Sequence, residues 1–61
     1  MHLILDEFER RIEQGKVVKG LAAQARALGE WLVANHPLEP RPTAKTIAER
    51  IRERYRQVRP A

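Results

Sequence analysis

A chain of 61 residues with no cysteine, no serine and a net charge of +4 makes one domain at most. That composition excludes disulfide staples, cysteine-based zinc sites and the two commonest side-chain nucleophiles. A chain this short buries only roughly 60% of its unfolded surface, so oligomerisation or docking on a larger partner is the expected supplement to its core.

The first predicted helix spans residues 3–14. Ile4, Leu5, Phe8 and Ile12 recur at helical spacing and give one apolar stripe. Acids lead (Asp6, Glu7, Glu9) and arginines follow (Arg10, Arg11), the order that suits the helix dipole. Asp6–Arg10 and Glu7–Arg11 are candidate i,i+4 pairs, and Gly15 is a natural stop. The opening run Leu3-Ile4-Leu5 is too short for a signal-peptide core or a membrane span. With the missing cysteine, this suggests a cytoplasmic protein.

The second predicted helix lies within residues 18–35, starting at Val18 or Leu21 and ending at Ala34 or Asn35, with Val18, Leu21, Ala25, Leu28 and Leu32 as its main stripe. Ala22, Ala25 and Gly29 form a strip of small residues beside that stripe, and Trp31 stands off it. An apolar surface on more than one face predicts that Ala22, Ala25 and Gly29 meet a second copy of the chain in a homodimer, joined by Trp31 unless that ring packs in the core. Asn35-His36-Pro37 ends the helix, because the residue before a proline avoids helical backbone angles. Pro37, Pro40 and Pro42 then stiffen a connector over residues 36–42, expected to run extended with Leu38 as its anchor to the core.

The third predicted helix spans residues 43–58. Thr43 is a good N-cap, and Ala44, Ile47, Ala48, Ile51, Tyr55 and Val58 hold the 3.6-residue period without a break. Lys45, Arg52, Arg56 and Arg59 share one flank; Thr46, Arg50, Glu53, Arg54 and Gln57 cover the other, and Pro60 closes the helix. The predicted fold is thus all-α, a small three-helix domain, oligomeric or docked on a partner.

Charge is distributed unevenly. Residues 1–40 sum to −1, whereas residues 41–61 carry Arg41, Lys45, Arg50, Arg52, Arg54, Arg56 and Arg59 against Glu49 and Glu53, for +5. Arg50–Arg54 and Arg52–Arg56 are like charges at i,i+4, which disfavour the isolated helix by a few tenths of a kcal/mol each. A planar guanidinium suits phosphate and carboxylate. The expected partner is therefore a polyanion: nucleic acid, DNA before RNA, or else an acidic protein surface.

The stretch Thr43-Ala-Lys-Thr-Ile-Ala-Glu-Arg-Ile51 resembles the start of a helix-turn-helix recognition helix. That resemblance implies that Thr43, Lys45, Thr46 and Arg50 contact the nucleic acid. It departs from the motif in the turn, where three prolines stand in place of a connection of three or four residues. The full set expected to bind nucleic acid or partner is Arg41, Thr43, Lys45, Thr46, Arg50, Arg52, Arg54, Arg56 and Arg59. His2 and His36 make a poor metal-ligand set without cysteine, and the three scattered glycines build no phosphate loop. No catalysis, cofactor, metal or small-molecule substrate is expected.

Overall fold

The computed structural model describes residues 2–58, and every regular element among them is helical: α1 (His2–Glu13), α2 (Leu21–Asn35) and α3 (Ala44–Val58). The α2–α3 interface is the largest of the three. Tyr55, late in α3, meets the chain just before α2, while Ile47, early in α3, lies against Gly29. Those two contacts make α3 antiparallel to α2. Phe8 of α1 stacks on Tyr55, with ring centroids 6.5 Å apart. Leu3 and Ile4 approach Leu32 near the end of α2, so α1 runs alongside α3 and against α2. The radius of gyration, 10.6 Å, is close to the value of about 10 Å for a folded chain of this length.

The core consists of Ile4, Phe8, Ala25, Leu28, Leu32, Ile47, Ile51 and Tyr55, with Leu3, Ile12, Val17, Leu21, Trp31, Ala48 and Val58 packed around it. Two expected stripe members are at its edge instead: Leu5 and Val18 are each 37% exposed. Leu5 follows Ile4 by one residue, a third of a turn, and is carried off the inward line that Ile4 and Phe8 keep.

α1 ends as Gly15 predicts. The Lys16 N–H bonds the Arg11 carbonyl at 2.8 Å and the Gly15 N–H bonds the Ile12 carbonyl at 3.1 Å, the paired bonds of a Schellman cap. Gly15 holds φ at +69°, where a side chain is strained. α2 begins at Leu21, the later of the two expected starts. Gly20 is at φ 100°, outside the helical region, and the backbone of Val18 is committed elsewhere. Its N–H donates to Gln24 Oε1 at 2.7 Å, and its carbonyl accepts from the Tyr55 hydroxyl at 2.9 Å. The same hydroxyl accepts the Gly20 N–H at 2.6 Å.

The connector corrects a second expectation. Leu38 is 99% exposed and anchors nothing. The Glu39 N–H bonds the His36 carbonyl at 3.0 Å, and this tight turn throws Leu38 outward and breaks the extended run. Half-buried Pro42 is the connector's seat, and the Arg41 guanidinium lies over Gly29. Thr43 caps α3 as predicted: its Oγ1 accepts the Thr46 N–H at 3.2 Å, and its carbonyl accepts the Ile47 N–H at 3.0 Å.

The small-residue strip serves the chain's own fold. Ala25 and Gly29 are buried, and a Cβ added to Gly29 would lie 3.4 Å from Ile47 Cδ1. Ala25 and Gly29 are thus covered within their own chain, with Ile47 of α3 packed against Gly29. Ala22 is exposed; Trp31 is half-buried, packs on the core and meets the His36 ring edge-on at 5.3 Å.

Replacing Tyr55 by Phe keeps the ring packing and removes only the hydroxyl. Two backbone groups of the α1–α2 loop then lose their partner, and urea denaturation is expected to show a loss of about 1–3 kcal/mol.

Candidate functional site

α3 presents its cations in two rows because residues two apart on a helix face different ways, while those four apart share a side. Arg54 marks the flank that faces α1. Its Nε and Nη2 grip the two carboxylate oxygens of Glu9 at 2.9 and 3.1 Å, and its Nη1 reaches Gln57 Oε1 at 3.1 Å. The hydrogen bonds it donates to Glu9, and then the Glu9 charge, hold the Arg54 guanidinium above its ordinary pKa. Arg54 is therefore spoken for within the fold. Arg50 lies one turn earlier on the same flank.

Arg52 and Arg56 stand two residues to either side of Arg54 and occupy the flank turned away from α1. Lys45 joins them two turns earlier. The row from Lys45 to Arg56 is about 16 Å long at 1.5 Å per residue. All three side chains are exposed, as is Arg50. Among the described residues, none of these four has a carboxylate within the 4.0 Å that defines an ion pair. Glu49 and Glu53 share the helix crest between the two rows.

The basic residues of α1 behave differently. Arg11 Nε lies 2.9 Å from Glu7 Oε2, and Arg10 Nη1 lies 3.4 Å from Glu7 Oε1. Arg10 thus turns to Glu7 rather than to the expected Asp6. Glu7 is only 7% exposed, and two arginines across it offset the cost of burying its charge.

The remaining expected contact residues divide. Thr43 Oγ1 is committed to the cap and lies 3.0 Å from Thr46 Oγ1, so neither hydroxyl is a free reader. Arg41 is exposed at the other end of α2, over Gly29. Arg59 and the expected stop at Pro60 lie outside the described residues. The helix-turn-helix resemblance does not extend to the packing. α2 and α3 run antiparallel, Tyr55 meeting Gly20 and Ile47 meeting Gly29, whereas that motif crosses its helices at about 90–120°.

One cation emerges only from the fold. Lys19 sits between Val18 and Gly20, both bonded to the Tyr55 hydroxyl, and this brings its backbone beside the turn of α3 that carries Arg52 and Arg56. The separation of 35 residues between Gly20 and Tyr55 left no local signal for it.

An apolar groove of about 370 Å³ opens at the opposite end, lined by Leu3, Ile4, Leu32, Glu39, Pro40, Arg41 and Pro42. Among the described residues, no group of three His, Cys, Asp or Glu is placed to hold a metal ion, and no helix is long and apolar enough to cross a membrane. No protein family, curated protein or solved structure matches the chain.

Glu9→Gln removes the charge that neutralises Arg54. Polyanion affinity, measured by fluorescence anisotropy with labelled duplex, is expected to rise, while the thermal midpoint stays near that of the wild type, as for an exposed pair.

Proposed function

We propose that this protein binds a polyanion, nucleic acid foremost, through Lys45, Arg52 and Arg56 of α3, with Arg50 contributing from the second flank. One observation carries the reading. These exposed cations lack a carboxylate partner among the described residues, whereas Arg10, Arg11 and Arg54 each have one. Three or four guanidinium and ammonium groups on a fixed rod form an electrostatic footprint for a row of phosphates.

Duplex DNA suits this rod better than RNA does. The B-form major groove, about 12 Å wide, admits an α-helix, whereas the A-form major groove is deep and narrow. Single-strand readers stack bases on exposed aromatic rings; Tyr55, the aromatic residue of α3, is buried. The position of Arg50 and Lys45 on different flanks argues for contacts with phosphates on both sides of a groove rather than with one strand.

The crest formed by Glu49 and Glu53 supports a second reading. A protein surface whose acids flank a basic centre complements both rows and the crest, whereas uniformly negative phosphate complements the rows alone. The double substitution Glu49→Gln with Glu53→Gln separates the two. It strengthens binding to nucleic acid and weakens binding to such a protein.

The decisive measurement is a duplex titration over a range of salt concentrations. Three to four phosphate contacts predict a log–log slope of about −2.7 to −3.6. Arg52→Ala and Arg56→Ala should each flatten that slope by about 0.9 without unfolding the protein. Absence of binding at low salt rules out the nucleic-acid reading.

A further inference from the structure

Leu38 and the apolar groove beside it are a mismatch within one chain and a match between two. The connector exposes Leu38 almost completely, at 99%, at the tip of the turn closed by the Glu39–His36 backbone bond. The next four residues, Glu39 to Pro42, form one wall of the groove, and Leu3, Ile4 and Leu32 form the rest. Leu38 does not fill this groove in its own chain. Groove and knob therefore remain side by side, both open to water.

The charges on the rim carry the same pattern. Glu39 and Arg41 line the groove and are both exposed. No ion pair links them to each other or to another described residue. Opposite charges two residues apart, to either side of Pro40, are self-complementary about a two-fold axis. Turning a second chain about an axis beside Pro40 sets Glu39 of one subunit against Arg41 of the other, and the reverse contact forms by symmetry.

We propose that a second copy of this chain occupies the groove, in a two-fold dimer in which each Leu38 enters the groove of the other subunit and Glu39 pairs with Arg41 across the axis. A knob and a groove placed far apart on one molecule would build an open chain of subunits. Adjacent on a single turn, they close into a dimer. The interface is centred on the connector, not on the Ala22/Ala25/Gly29 strip, whose inner members α3 already covers. Stable interfaces take about 600 Å² or more from each partner. An interface confined to the connector and groove is small, and association at about micromolar concentration is expected. The proposal does not depend on nucleic-acid binding.

Sedimentation velocity on nuclease-treated protein across a concentration series tests it. The wild type is expected to pass from monomer to dimer. Leu38→Asp, which changes a side chain that packs on nothing within its own chain, should weaken the dimer by about tenfold or more, with the far-UV circular dichroism unchanged. Glu39→Arg, which faces like charges across the axis, should also weaken it by about tenfold, and so should Arg41→Glu. Glu39→Arg combined with Arg41→Glu restores the opposite-charge pairing and should recover the wild-type association. A monomer at every concentration, or a dimer that survives Leu38→Asp, overturns the proposal. Failure of the charge exchange to restore the dimer overturns the two-fold pairing on which it is built.

Discussion

The Tyr55 hydroxyl is the interaction on which the arrangement of the three helices turns. It donates to the Val18 carbonyl and accepts the Gly20 N–H, so two backbone groups of the α1–α2 loop find their partners on α3 instead of in water. The tyrosine ring below is stacked on Phe8 of α1. One side chain thus ties all three helices at a single end of the bundle. A domain of this size has few core residues, and a polar tie that also fills volume restricts the loop without enlarging the core. Gly20, whose N–H the hydroxyl accepts, stands at φ 100° outside the helical region and marks the start of α2.

Charge is organised by the same packing. Each acidic side chain that meets α1's arginines or α3 removes a cation from the free set: Glu7 takes Arg10 and Arg11, and Glu9 takes Arg54. What remains unpaired among the described residues of α3 is a row on the flank facing away from α1, with Arg50 on the other side. The net charge of +4 therefore understates the local field. Every ion pair among the described residues uses an acid of α1, and three of the eight unpaired cations, Lys45, Arg52 and Arg56, line up on the outer flank of α3.

The two ends of the bundle do different things. At the Tyr55 end the loop is closely bonded and brings Lys19 toward the basic turn of α3. At the connector end, prolines and a single tight turn leave Leu38 in water beside an apolar groove. Gly29 lies between the ends, with Ile47 of α3 and the Arg41 guanidinium both packed against it. The two proposals therefore concern separate surfaces: the polyanion face lies along α3, and the self-association surface lies at the connector.

Much of the fold was legible in the linear chain because its signals are local. Helix period, the Gly15 stop and the Thr43 cap each depend on residues within one or two turns, and all three are found in the structure. The basic character of α3 is likewise a count over one segment. Tertiary structure alone decided which cations are free, because Glu9 and Arg54 stand 45 residues apart and no local rule pairs them. It decided the use of Ala25 and Gly29, since a small residue invites close approach without specifying by what, and α3 of the same chain supplied the answer. It decided the fate of Leu38 as well. Apolar character predicts burial, but a turn closed by one backbone hydrogen bond set the direction of the side chain, and that direction was outward.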